Sequence, residues 1–289
     1  MLFIFVDGVG LRGPAADNPV NPEVCPTLHR LITEHAVPLD ACLGVPGLPQ
    51  SATGQTTLFT GINASRYMGR HMEGFPGPSL RNLIAGSNLL LDLTRRGRRV
   101  RFANNYLADS IEEIRARRFK SVTTVAALTT PEALCLREDL LANQAVFHDI
   151  TRATMRERGY TGPLITPQAA AEHLVQIALA YDFTLFEFFL TDLAGHARDR
   201  RLAVETLSLL DAFLTAVCAM AAERQMLLVL TSDHGNIESM EGHAHTLNPV
   251  PLAAIGPGAE EMLAGAASLM DVTPRVLKLL DAQPAVSCA

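Results

Sequence analysis

Leu2–Val6 is an unbroken run of apolar, aromatic and β-branched residues that stops at Asp7-Gly8, the pattern of a parallel strand buried on both faces and ending in a loop. The design recurs along the chain. Residues 183–190 (FTLFEFFL) run into Thr191-Asp192, and residues 226–230 (MLLVL) run into Thr231-Ser232-Asp233, so each expected strand hands over to a polar loop carrying an acid. Val250–Ile255, after Asn248-Pro249, reads as a fourth strand and 99–102 as a short one. Helical patterns fall near 26–35, 78–95, 167–181, 199–222 and 272–280, several with Pro or Asp at their starts. Strands alternating with helices predict an α/β fold with a parallel sheet wrapped on both faces. Between about 106 and 163 the rhythm breaks into an acidic and then Arg-rich segment, a short β-branched run at 121–127 and a charged helical pattern over 137–158. A small inserted cap over 106–163 is expected there, set in a core made of 1–105 and 164–289.

Composition narrows the class. With 289 residues, 48% of them apolar and 19% charged, disorder, collagen and coiled coil are excluded, and one α/β domain with an insert is comfortably accommodated. Lys+Arg of 24 against Asp+Glu of 30 leaves a net charge of −6, so no positive field gathers nucleic acid or an anionic membrane, and neither is expected as a partner. Cys25, Cys42, Cys135, Cys218 and Cys288 are odd in number and form no CxxC pair, which argues against a disulfide framework or zinc ribbon and fits a reducing, cytoplasmic setting. The Leu2–Val6 run is too short, and lacks the basic flank, for a signal peptide; no other apolar stretch reads as long enough to cross a bilayer. The oligomeric state stays open.

In open parallel sheets ligands bind outside the carboxyl ends of the strands, so Asp7, Asp192 and Asp233 are expected to converge on one crevice. Carboxylates gathered in this way repel unless cations bind them. His196 follows Asp192 by four residues, His234 follows Asp233 directly, and His243 and His245 precede the Val250 strand. Carboxylate oxygen and neutral imidazole suit Zn²⁺ or Mn²⁺. Taken singly each feature has an ordinary reading: Asp7-Gly8 as a turn, Asp192 as a helix cap, Asp233-His234-Gly235-Asn236 as turn formers, His243 and His245 as loop residues. Turns alone do not produce their conjunction. In the stretch 50–61 (QSATGQTTLFTG) hydroxyl residues lead into a helical pattern, placing Ser51 or Thr53 at a helix N-terminus, where an anion is favoured or where the hydroxyl merely caps the helix.

In chain order FVDGVG at Phe5, QSATGQTTLFTG at Gln50, TDLAGH at Thr191, TSDHGN at Thr231 and GHAHTLNPVP at Gly242 resemble the metal-binding motifs of the alkaline phosphatase superfamily. The wording is closest to cofactor-independent phosphoglycerate mutase and related phosphomutases, and SLMDVTPRVLKLL at Ser268 resembles the superfamily's last strand and helix. The resemblance implies a three-layer sandwich with a mostly parallel central sheet. It implies two divalent metal ions, Zn or Mn: one held by Asp192, His196 and His245, the other by Asp7, Ser51, Asp233 and His234, with Ser51 also the nucleophile that forms a phosphoserine. The AHT-then-NPVP wording selects His245 and leaves His243 behind the ligands or facing substrate. The family's turn differs where this chain has Gln50, Thr53 and Gln55, so Thr53 is an alternative nucleophile.

Substrate contacts are expected from Asn104, at a strand end beside Asn105, and from Arg70 and His71, which with Arg66 follow the nucleophile helix. Arg115, Arg117 and Arg118 in the cap are further candidates. The mutase carries a much larger inserted domain than the sixty or so residues available here. The expected function is therefore hydrolysis of a small phosphorylated metabolite, a phosphate monoester, with a phosphomutase or a non-catalytic metal-binding regulatory protein as the alternatives.

Overall fold

The structure, a computed structural model, describes residues 1–242 and 245–282, and of Arg158 the backbone alone. Six strands form one sheet: β1 (Leu2–Val6), β2 (Ala36–Leu39), β3 (Val100–Phe102), β4 (Phe183–Phe188), β5 (Leu228–Thr231) and β6 (Val250–Ile255), in the spatial order β2-β6-β5-β1-β4-β3. β1 pairs in parallel with β4 and β5, and β3 with β4, while β6 runs antiparallel to both β5 and β2. The three acid-bearing strands are thus adjacent, parallel and central, and their carboxyl ends lie side by side.

Side-chain alternation on β1 builds the two cores. Leu2, Ile4 and Val6 point into a layer with the helices Pro26–Glu34, Pro167–Ala180 and Arg200–Glu223, whereas Phe3 and Phe5 point into the opposite layer with Ser51–Thr60, Leu89–Arg95 and Val272–Asp281. A sheet apolar on both faces requires a helical layer on each; the result is the expected three-layer α/β sandwich with a mostly parallel sheet.

Several elements differ from the sequence expectation for local reasons. The pattern over 78–95 splits into Pro78–Gly86 and Leu89–Arg95, because Asn88 accepts from the backbone N–H of Leu90 and Leu91 while donating to the carbonyl of Ile84; one side chain ends a helix and starts the next. The pattern over 137–158 is helical only at Arg137–Leu141, closing at Asn143 with φ of 59°, and returns as a 3₁₀ turn at Thr154–Arg158. The strand expected over 183–190 ends at Phe188, and Leu190–Ala197 is a helix. The β-branched run 121–127 forms the helix Val122–Ala127, capped by Ser121 accepting from Thr124 N–H. β2 carries Pro38 at the sheet edge, where its missing donor costs no ladder bond.

Within 106–163 packing is divided. Ile114, Val122, Ala126, Ala133 and Leu134 join the layer of Phe3 and Phe5, while Cys135, Leu140, Ala145, Phe147 and Met155 form a small cluster of their own. Parallel bridges from Asn104 to Val146 and from Asn105 to Cys135 fasten this cluster to the end of β3. The expectation that no further stretch could cross a bilayer is corrected by Arg200–Glu223, 24 residues long and apolar enough to do so by length and composition. Here its inner face, including Leu207, Leu210, Phe213 and Leu214, packs in the core, and its buried Asp211 accepts from Leu28 N–H at 2.8 Å. Cys25, Cys42, Cys135 and Cys218 are free thiols, and Cys288 lies outside the described residues.

Candidate metal centre

Asp7 ends β1, and Gly8 turns the chain with φ of 73°. A Cβ on Gly8 would lie 2.8 Å from Asp192 Oδ1, so glycine satisfies both the left-handed backbone and the close approach of the next strand's loop. After β4 the helix Leu190–Ala197 places Asp192 and His196 one turn apart on one face, with His196 Nε2 3.3 Å from Asp192 Oδ2. His245 comes from the loop before β6. Its Nδ1–H donates to the Pro49 carbonyl at 2.8 Å, which fixes the tautomer and leaves Nε2 as a ligand atom. That Nε2 lies 3.0 Å from His196 Nε2 and 3.6 Å from Asp192 Oδ1.

The second group forms where β5 ends. Asp233 and His234 are fully buried, and His234 Nε2 lies 3.3 Å from Asp7 Oδ1 and 3.5 Å from Asp233 Oδ2. Ser51 opens its helix with Oγ 2.9 Å from the same His234 Nε2. One turn on, Gln55 donates to Asp7 Oδ2 at 2.9 Å, and Gly54 lets the helix come so near that a Cβ would sit 3.0 Å from the Asp233 carbonyl oxygen. Asp192 lies between the groups, its Oδ1 4.0 Å from His234 Nε2, and the His234 and His245 rings stack at 3.8 Å.

Electrostatics makes both groups fit cations. Burial and the Asp7 carboxylate push Asp233 well above the usual carboxylate range. Burial pulls His234 down, but Asp233, Asp7 and Asp192 outweigh it and raise the imidazole to about 10. Burial and His234 lower His245 to about 4. Asp7 Oδ1 and Asp233 Oδ2 are buried without a hydrogen-bond partner, although carboxylate oxygens are costly to leave so. In each of the triplets Asp192–His196–His245 and Asp7–Asp233–His234, one ligand atom per residue lies within 4.8 Å of the others. Two imidazole nitrogens 3.0 Å apart approach the roughly 3.3 Å separation of ligands at ~2.0–2.1 Å around a tetrahedral Zn²⁺.

Supporting residues were not apparent in the sequence. Glu238, buried, accepts from Gly10 N–H at 2.9 Å, Asn236 N–H at 2.8 Å, Thr246 Oγ1 at 2.5 Å and Asn248 Nδ2 at 3.0 Å, binding three loops together. Asn236 Nδ2 donates to Asp192 Oδ1 at 2.6 Å and orients that carboxylate. Glu187, raised to about 8 by burial, accepts from Thr123 Oγ1 at 2.7 Å and lines the cleft beside Asp7. An acid inside the apolar run FTLFEFFL was the one signal available for it.

The expected substrate contacts fare differently. His71 is held by Ser65 Oγ at 3.1 Å and the Val45 carbonyl at 3.1 Å, so both ring nitrogens are engaged away from the cleft. Arg70 is exposed and donates to Met72 Sδ, and Arg66 is exposed too; neither lines the cleft. Asn104 does line it, but its Oδ1 accepts from Glu187 N–H and its Nδ2 donates to the Glu187 carbonyl, both at 2.7 Å, which joins β3 to β4. Of the cap arginines Arg117 lines the cleft, whereas Arg115 pairs with Glu112 and Arg118 stacks on Phe119. Thr53 is fully buried and hydrogen-bonded to Gln50 and Met72 backbone, so the hydroxyl offered to the cleft is that of Ser51. His243 lies outside the described residues.

The profile of the metalloenzyme superfamily matches residues 1–284. The chain belongs to the metalloenzyme superfamily. Among relatives of this superfamily member, the 2,3-bisphosphoglycerate-independent phosphoglycerate mutase of Ruegeria pomeroyi is 31% identical over 121 residues, 39% of this chain and 24% of the mutase. The match thus spans about a quarter of that relative's length. The alkaline phosphatase of the Antarctic bacterium TAB5 is similar in structure, with a TM-score of 0.57 and 14% identity over 98% of each chain. The cold-active alkaline phosphatase of Shewanella has a TM-score of 0.56 and 15% identity over 97% of this chain and all of that one. The metalloenzyme-superfamily core is therefore that of an alkaline-phosphatase-like fold.

Proposed function

We propose that the protein is a two-metal phosphoryl-transfer enzyme that hydrolyses a small phosphate monoester through a phosphoserine at Ser51. The observation that carries this reading is the position of Ser51 Oγ, 2.9 Å from His234 Nε2, at the head of a helix and beside two acid–histidine groups. Asp192, His196 and His245 would hold one divalent ion, and Asp7, Asp233 and His234, with Ser51, the other; Zn²⁺ and Mn²⁺ suit these donors. Bound there, the ions supply Lewis-acid charge that eases deprotonation of a nearby hydroxyl and offsets charge on phosphoryl oxygens.

The chain's own residues do the rest. The positive end of the Ser51–Thr60 helix faces the incoming phosphoryl group. Ser51 Oγ bonds to phosphorus as the ester P–O bond breaks and the alcohol leaves; water then cleaves the phosphoserine, releasing inorganic phosphate and free Ser51. Gln55 fixes Asp7, Asn236 fixes Asp192 and the Pro49 carbonyl fixes His245, so the donors need no rearrangement when ligand arrives.

The 31% identity to the phosphoglycerate mutase over part of its length favours a second reading, transfer of the phosphoryl group back to another hydroxyl of the same substrate. Acid-quenching the enzyme with substrate and locating phosphate by mass tests the common step. Phosphate on Ser51 supports it, and phosphate elsewhere or nowhere removes it. Supplying phosphoglycerates and a panel of monoesters, then measuring inorganic phosphate beside positional isomers, separates the two outcomes.

A further inference from the structure

Beside its acids and other polar residues, the cleft of about 480 Å³ carries six rings: Phe75, Phe102, Tyr106, Phe147, His148 and Phe189. The His148 ring lies 4.2 Å from that of Phe147 and 4.9 Å from that of Phe189, forming a continuous aromatic wall. Phe75 stacks on Phe119 at 5.3 Å with 28° between planes, yet these rings stay 54% and 59% exposed. Large apolar rings open to water beside a concave site mark a surface built to be covered.

The cationic side is sparse. Among the described residues Arg117 is the one arginine in the lining and no lysine joins it. Its guanidinium donates to the Tyr106 carbonyl and lies 5.5 Å over the Tyr106 ring. A leaving group with its own carboxylate or second phosphate would give up water here for ring faces, with one committed guanidinium in return. A flat, uncharged ring would instead replace water on several aromatic faces.

We propose that this cleft selects phosphate monoesters whose leaving group is an uncharged aryl group, held against Phe75 and the Phe147–His148–Phe189 wall while the phosphate meets Ser51. The inference rests on the phosphatase reading above and names its substrate class. Phe75 is a specificity residue: it touches the leaving group and leaves the phosphate end alone.

Calorimetric binding of non-hydrolysable phosphonates to the Zn²⁺-loaded protein reads this without turnover. Benzylphosphonate is expected to bind at least about 10-fold more tightly than methylphosphonate, the gain of one or two aromatic contacts, and phosphonoacetate no more tightly than methylphosphonate. Phe75→Ala, at an exposed position, is expected to cut the benzyl-to-methyl ratio at least about 3-fold. Equal binding of benzyl- and methylphosphonate, tighter binding of phosphonoacetate, or an unchanged ratio in Phe75→Ala overturns the aryl assignment and leaves the phosphatase reading standing. Failure of all three phosphonates to bind overturns both.

Discussion

Replacing Ser51 and Thr53 separately by alanine distinguishes a reacting hydroxyl from a structural one within a single turn of helix. Thr53 Oγ1 accepts from Met72 N–H at 3.1 Å and donates to the Gln50 carbonyl at 3.3 Å, in a fully buried position. Thr53→Ala leaves that N–H without its acceptor, a cost of about 1–3 kcal/mol, and removes a buried methyl contributing about 0.8 kcal/mol. The sum, about 2–4 kcal/mol, corresponds to a fall in Tm of roughly 3–7 °C for a chain of this size, with turnover within about tenfold of the parent. Ser51 is only partly buried and its Oγ contacts His234, so Ser51→Ala should shift Tm far less. It removes the attacking oxygen, however, and turnover should fall by about 10³-fold or more. Thermal melts and steady-state rates on metal-loaded variants decide the matter. If Ser51→Ala keeps a tenth of the activity, or if Thr53→Ala loses as much at an unchanged Tm, the nucleophile is misassigned.

Gly195→Ala would bring a Cβ to 2.6 Å from Asn236 Cγ, whose amide holds Asp192; displacing that buried amide should lower metal affinity at the Asp192–His196–His245 group about 10- to 100-fold, as metal titration would show, and should cost the metal-free fold about 1–3 kcal/mol through the hydrogen bonds it loses to Asp192. Glu238→Ala strips the acceptor from the buried N–H groups of Gly10 and Asn236, and at about 1–3 kcal/mol each chemical denaturation should register a loss of about 2–6 kcal/mol; a loss below about 1 kcal/mol would contradict its role as a hub. Chelation should lower Tm reversibly, since an ion at one hundred times its Kd adds about 2.7 kcal/mol per site to the folded state, and an identical melt with and without chelator would speak against ions in either group.

Much of the site was legible because a parallel sheet forces it: acids ending β1, β4 and β5 have nowhere to go but the same edge. The spacing of Asp192 and His196 became a shared helix face for the same geometric reason. What sequence could not reveal were contacts made across the fold. His71 looked available for phosphate, yet it is spent on Ser65 and Val45, partners six and twenty-six residues away. Asn104 reaches the expected strand end, but both ends of its amide tie to Glu187, 83 residues on. Glu238 and Asn236 were plain polar loop residues until β1, Leu190–Ala197 and the loop of His245 closed around them. The stretch 106–163 was legible as an interruption only. Asn88 and Asn143 decide where its neighbouring helices stop, and half of its apolar residues pack into the main layer.

The proposed chemistry needs two ions, one in each of the two donor groups flanking Ser51. Calorimetric titration of chelator-stripped protein with Zn²⁺, run in parallel on His196→Ala and Asp233→Asn, tests it most directly, because one variant disables Asp192–His196–His245 and the other Asp7–Asp233–His234. Two ions per chain are expected in the parent, and one in each variant. A parent that saturates at a single ion, or variants that both retain two, would contradict it.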